Sequence, residues 1–283
     1  MNFIFFGTPQ LSADILERLK KDNLLPSLIV TNPDKPVGRK HTLTPSPVKL
    51  WAKKNAIPFL QPESPSDPVF TKQLVTSNCE LFVVVAYGSI LTKEVLAIPE
   101  KGSLNLHYSL LPKYRGASPV ETAILHDDRD VGVSILLLDE KMDHGPVVAD
   151  RKLITSIVSL VSEAWPPSAA ELREACNIVG GDLLAETIPL FVEGKITPRE
   201  QDHSKATYTK KILKEDGEID PKGDGYKNYL KYQAYKTWPG VFFFKEEEGK
   251  KIRIKVTDAE FRDGKFVIEK IIPEGKKEQP YRA

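Results

Sequence analysis

Asn105 and His107 stand two residues apart in the run SLNLHYSLLPKYRG (103–116), and Asp143 follows later in DHGPVV. An amide, an imidazole and a carboxylate are groups that acyl transfer can use. The amide and imidazole donate to a developing oxyanion, while the carboxylate orients the imidazole and accepts a proton from an attacking amine. Apolar and polar residues alternate over 104–108, the period of a strand, which puts Asn105 and His107 on one face. Pro112 and Gly116 then end it. By type alone, a lone histidine is more often a satisfied structural residue and a turn aspartate more often a cap. The strand face therefore reads either as a site or as an edge facing water. A metal centre is the weaker reading, because His107, His126, Asp143 and His144 show no recognised ligand spacing.

The elements that must position these groups follow an α/β rhythm. Apolar strands are expected at 2–6, 28–31, 81–86, 104–108 and 132–138, with helices at 11–22 and 119–126. The 81–86 run is continuously apolar, as in a strand covered on both faces. The pattern predicts a Rossmann-like, mostly parallel sheet, with ligands at the carboxyl ends of its strands. On that expectation Asn105, His107 and Asp143 come from the carboxyl ends of neighbouring strands. A long helical pattern covers 168–191, and Gly180-Gly181 inside it implies either a break or close packing against the sheet. A linker is expected at 196–206. Short strand-like runs at 241–244, 251–256 and 265–272, the last two joined by Arg262-Asp263-Gly264, predict a smaller β-rich second domain.

Composition sets outer bounds. The chain has 283 residues, 41% hydrophobic and 28% charged, enough for a sizeable core in one or two domains. Its longest apolar runs fall far below the roughly 18 residues of a membrane span, and MNFIFFGTPQ reads as a strand and turn rather than a signal peptide. Two cysteines, Cys79 and Cys176, fit buried thiols in a reducing cytoplasm. Net charge is −3 before residue 197 and +4 from there on, compatible with a polyanionic partner without demanding one. FFGTPQL places a glycine between strand and helix without a dinucleotide fingerprint. The run 31–49 holds four prolines with Lys35, Arg39, Lys40 and His41, an irregular basic loop that is either solvated surface or a nucleic-acid contact.

Taken in order, FFGTP, TNPDKPVGRKHTLTPSPVK, LFVVVAYGSIL, NLHYSLLPKYRGASPV, DHGPVV, ATYTKKILKEDGEID, WPG and PEGKK resemble the methionyl-tRNA formyltransferases of bacteria and organelles. The N-x-H-x-S-L-L-P core alone is shared with other formyltransferases, including sugar-amine N-formyltransferases acting on nucleotide-linked amino sugars. The basic loop and the 207–220 segment narrow the choice. The resemblance implies formyl transfer from 10-formyltetrahydrofolate, a co-substrate, to the α-amine of methionyl-tRNA, with no metal. It implies Asn105, His107 and Asp143 as catalytic residues. Folate would bind at Ser109, Leu110, Leu111 and Pro112, with Leu91, Asp139 and Glu140 along the pterin pocket. Lys35, Arg39 and Lys40 would meet the tRNA. The expected division is a formyltransferase domain at 1–195, the linker at 196–206, and a shortened, OB-like domain at 207–283, in which only 43 residues follow Trp238-Pro239-Gly240. Initiator tRNA and folate are the expected partners of a monomeric cytoplasmic enzyme without membrane attachment.

Overall fold

The structure, a computed structural model, describes residues 1–38, 41–153, 165–247 and 249–282. The chain divides into two compact units, and neither is one continuous stretch. The first comprises Met1–Arg115, Gly132–Leu153 and Cys176–Thr207; the second takes Gly116–Val131 and Tyr208–Ala283 together with the stretch that precedes Cys176.

The first unit is built on a seven-stranded sheet of order β10-β9-β7-β6-β1-β2-β5. Its strands are β1 (Phe3–Gly7), β2 (Leu28–Val30), β5 (Phe59–Leu60), β6 (Leu81–Val85), β7 (Ser103–His107), β9 (Gly132–Leu137) and β10 (Val147–Lys152). Both β1 (FIFFG) and β6 (LFVVV) are buried at every position. That is why they read as unbroken apolar runs: a central parallel strand has no solvent face to alternate with. From β5 through β7 the pairings are parallel. On one side of β1 and β6 lies a core of Ile4, Phe6, Phe70, Leu74, Phe82, Val84 and Tyr87.

The first-unit connections are α1 (Gln10–Lys21), the pair β3 (Lys35–Val37) and β4 (Thr42–Thr44), α2 (Pro47–Lys54), α3 (Pro68–Thr76) and α4 (Lys93–Leu96). Three polar straps join the carboxyl ends of β1, β2 and β6. Ser12 Oγ donates to the Val85 carbonyl at 2.7 Å, Thr8 Oγ1 to the Tyr87 carbonyl at 2.8 Å, and Asn32 Nδ2 to the same carbonyl at 2.9 Å. The FFGTP turn is thus tied down by its own threonine and by the first helical turn. The 31–49 loop is more regular than its prolines implied. β3 and β4 form a short antiparallel ladder, Lys35↔Thr44 to Val37↔Thr42, closed by Gly38 at φ +72°.

The β9 strand departs from the parallel expectation. It runs antiparallel to β7, with Leu104↔Leu137 and His107↔Ser134, and β10 pairs antiparallel with it in turn. The carboxyl end of β9 therefore lies beside the amino end of β7. Asp143 is not delivered by a neighbouring parallel strand. It sits in the loop between β9 and β10, which must double back to reach His107.

Across the chain from β8 (Arg115–Gly116) and α5 (Pro119–Leu125), the next described helix is α6 (Ala169–Val192), 24 residues without a break at Gly180-Gly181. By length and composition α6 is apolar enough to cross a membrane, yet Cys176, Val179, Leu183, Leu184 and Ile188 are buried within the protein. The glycines serve close approach. A Cβ on Gly180 would lie 2.7 Å from Leu106 Cδ2 and 3.0 Å from its Cδ1, so the helix backbone rides directly on β7.

The second unit carries β11 (Tyr208–Thr209), α7 (Gly225–Tyr235) and a four-stranded antiparallel meander of β12 (Val241–Glu247), β13 (Lys250–Arg262), β14 (Lys265–Pro273) and β15 (Gln279–Pro280). Asp224 caps α7 through the Lys227 amide at 3.0 Å. The β13–β14 turn uses Asp263 and Gly264 at φ +52° and +74°, the left-handed pair of a tight hairpin. Where an OB barrel has five strands, this sheet shows four among the described residues, with β12 and β15 as its edges.

Gly180→Val is expected to overpack the α6–β7 contact and to lower stability by about 1–3 kcal/mol. Thermal unfolding of the purified variant checks this, and an unchanged midpoint would show that α6 does not press on Leu106.

Candidate active site

The β7 strand puts its polar side chains where the sequence pattern placed them. Leu104 and Leu106 are buried in the sheet, Asn105 is half-buried and His107 is 6% exposed. The Asn105 amide makes no hydrogen bond to the described residues. His107 is pinned at one ring nitrogen, Nε2, which lies 2.9 Å from the Tyr114 carbonyl. A carbonyl only accepts, so Nε2 carries a proton. The other nitrogen, Nδ1, faces Asp143 Oδ2 at 3.6 Å. That is longer than a hydrogen bond, but an atom at the apex of the pair can reach both groups. The two side chains are 7% and 12% exposed, so their interaction is only weakly screened.

The loop after β7 is braced from the sheet. Ser134, fully buried on β9, donates through Oγ to the Ser109 carbonyl at 2.7 Å and accepts from the Leu111 amide at 3.0 Å. Ser109 itself donates to the Lys113 carbonyl at 2.6 Å. Ser109 is buried, while Leu110, Leu111 and Pro112, just beyond β7, are half-buried. The loop thereby presents a fixed backbone edge, with the Tyr114 carbonyl that orients His107 at its far end.

Asp143 sits at φ +49°, a left-handed conformation that aspartate tolerates. Gly145 two residues on has no room for a side chain: a Cβ there would lie 1.9 Å from the Leu137 carbonyl oxygen. The DHG sequence is thus the local solution for a loop that must fold back tightly against its own strand.

The remaining sequence-derived residues are less concentrated. Leu91 is 9% exposed and belongs to the core with Phe6, Val84 and Tyr87; Leu138 packs against it. Asp139 accepts from the Lys141 amide at 2.8 Å and pairs with His144 Nδ1 at 2.7 Å. Glu140 stands on the surface in an ion pair with Lys93 at 2.7 Å, which raises the lysine pKa. Lys35 is exposed at the start of β3, and Arg39 and Lys40 lie outside the described residues. Among the described residues no three His, Cys, Asp or Glu side chains gather as a metal site, and Cys79 and Cys176 are buried free thiols.

The polar residues behind the DHG loop escaped the sequence reading. Gln201 and His203 fall in the stretch where the sequence pattern predicts a linker, and Arg115 in the run after the SLLP motif. Gln201 is 7% and Arg115 1% exposed. A proline and several charged residues made 196–206 look solvated. The available signal was a glutamine and a histidine two residues apart, which is weak without the fold.

In this setting of a half-buried amide, a pinned imidazole and a facing carboxylate, the relationships to known proteins are specific. The formyl transferase family pattern matches residues 1–159. The chain is 42% identical to methionyl-tRNA formyltransferase of Chloroflexus aurantiacus over 246 residues, covering 86% of this chain and 76% of the relative. Among solved structures, methionyl-tRNA formyltransferase from Clostridium thermocellum superposes with a TM-score of 0.61 at 17% identity, over 96% of this chain and 98% of the other. HypX from Aquifex aeolicus in complex with tetrahydrofolic acid superposes with a TM-score of 0.66 at 17% identity, over 98% of this chain and 45% of that one; at such identity these two speak for the fold alone. The identity over most of both chains, joined to the family pattern across β7 and its loops, places this chain in the formyl transferase family, among the methionyl-tRNA formyltransferases.

Proposed function

We propose that the protein transfers the formyl group of 10-formyltetrahydrofolate to the α-amine of methionyl-tRNA, giving formylmethionyl-tRNA for translation initiation. The observation that carries this reading is the His107 imidazole fixed through Nε2, with Nδ1 turned toward Asp143, in a chain 42% identical to a methionyl-tRNA formyltransferase. That identity favours a tRNA substrate over a nucleotide-linked amino sugar.

The chemistry assigned to the site is as follows. The amine nitrogen attacks the formyl carbon and the carbonyl electron pair moves to oxygen. Asn105 and His107 Nδ1, in the doubly protonated imidazole, donate to that oxyanion. Asp143 stabilises the imidazolium and takes the proton released by the amine. The oxyanion then collapses and the proton taken up by Asp143 passes to N10 of the folate as its bond to the formyl carbon breaks, so that formylmethionyl-tRNA and tetrahydrofolate are released. The 109–112 backbone braced by Ser134 suits the polar edge of a flat heterocycle, and Leu91 supplies apolar wall. Asp139 and Glu140 are assigned to the rim of the same pocket.

The proposed division of labour gives formyl transfer to residues 1–195 and RNA holding to 207–283, with 196–206 joining them. On the second sheet, Arg253 lies 3.8 Å from the Phe242 ring centroid and Lys251 4.1 Å from that of Phe244. A cleft of about 360 Å³ on the sheet is lined by residues including Phe243, Tyr281, Lys245, Lys276 and Arg282. Phe242 and Phe244 alternate along β12 with Phe243 and Lys245, so the two sets lie on opposite faces of the sheet; their cations support contacts to phosphates. Lys35, Arg39 and Lys40 are assigned to the acceptor end of the tRNA, and the enzyme to the cytoplasm, as a monomer that favours initiator tRNA.

Transfer of labelled formyl to methionyl-tRNA, run beside an amino-sugar nucleotide, tests the reading; unmodified tRNA with a formylated sugar would sink it. His107→Ala is expected to abolish transfer while leaving tRNA affinity nearly unchanged, measured by filter binding. Ser134→Ala removes a buried brace worth about 1 kcal/mol, so KM for 10-formyltetrahydrofolate is expected to rise roughly five-fold with KM for tRNA unaffected. Lys35→Ala is expected to weaken tRNA binding and to lower the slope of log affinity against log salt by roughly one, leaving the folate KM unchanged.

A further inference from the structure

The Gln201 side chain holds the DHG loop from behind. Gln201 Nε2 donates to the carbonyls of Asp143 at 2.9 Å and Gly145 at 2.6 Å, bracketing His144. At its other end, Gln201 Oε1 accepts from Arg115 Nη2 at 2.6 Å and Nε at 3.2 Å. A guanidinium only donates and a carbonyl only accepts, so the amide has a single possible orientation. Arg115 Nη2 also lies 2.9 Å from His203 Nδ1, which must accept and so leaves the proton of His203 on Nε2. The His203 ring stacks on His144 at 4.1 Å and 6°, and His144 is held by Asp139 at 2.7 Å. The backbone completes the clamp: Arg199 and Val147 exchange two hydrogen bonds of 2.8 Å.

We infer that Gln201, oriented by the buried Arg115, is a positioning residue for Asp143. It holds the two carbonyls on either side of His144 and so fixes the left-handed turn that sets the Asp143 carboxylate opposite His107 Nδ1. The inference rests on the proposed role of Asp143 in formyl transfer. It also makes the 199–203 segment part of the catalytic apparatus. Gln201 acts through the loop backbone, by way of the two carbonyls it holds.

Gln201→Glu separates this role from mere satisfaction of a buried arginine. The carboxylate keeps the Arg115 contact but turns an acceptor oxygen toward two carbonyls, so the loop loses its donor. With the full chain and both substrates, kcat is expected to fall at least roughly ten-fold, the loss of an interaction worth about 1.4 kcal/mol, with KM values within two-fold. In an Asp143→Asn background the same change is expected to add no further loss to the single-turnover rate, because both act through one carboxylate. The His107 Nδ1 nitrogen resonance is expected to move in Gln201→Glu in the direction seen for Asp143→Asn. A folded Gln201→Glu protein with wild-type kcat and an unmoved His107 resonance would overturn the inference, as would losses that multiply in the double variant. If Gln201→Glu fails to fold, Gln201→Met removes the same donation at similar length and is read by the same criteria. Wild-type protein inactive on methionyl-tRNA would count against the proposed function, and the His107 resonance would still decide whether Gln201 places Asp143.

Discussion

The contact on which the site depends is the one between a ring nitrogen and a backbone carbonyl. Tyr114 accepts from His107 Nε2, and this fixes the proton on Nε2, the ring plane and the direction of Nδ1 together. An imidazole free to rotate would present either nitrogen and either face, and the facing carboxylate would gain little from proximity. With the ring fixed, Asp143 at 3.6 Å acts on one known atom. The rest of the first unit can be understood as holding the three parts of this arrangement: the strand that bears His107, the loop that ends in Tyr114, and the loop that bears Asp143.

Each part is held by a different kind of interaction. The strand is held by packing: β7 lies between two strands and under α6, whose backbone at Gly180 comes close enough that a Cβ there would press on the Leu106 methyls. The loop after it is held by hydrogen bonds from a single buried hydroxyl, Ser134, which serves a carbonyl and an amide at once. The Asp143 loop is held by sterics at Gly145 and by the Gln201 amide. Rigid elements thus carry Asn105 and His107, and a clamped loop carries Asp143.

The second unit uses simpler means. A meander of adjacent strands needs only local turns, and its long hairpin is set by a left-handed Asp-Gly pair. On its surface Arg253 lies over Phe242 and Lys251 over Phe244.

The sequence by itself determined the strands of the sheet core, the long helix, the second-unit hairpin and the shared face of Asn105 and His107. These are properties of periodicity, turn chemistry and burial, all local in the chain. Asp143 could be named from its motif, but not its route to His107, since the antiparallel turn of β9 is decided by sheet pairing. The short β3–β4 ladder hid behind prolines that suggested irregularity. Gln201, Arg115 and His203 were invisible as a group, because residues 86 and 88 positions apart become neighbours only when the chain closes. Local patterning reports which residues can act. Long-range hydrogen bonds, formed in a buried setting where each donor must find its acceptor, decide which of them meet and in what geometry.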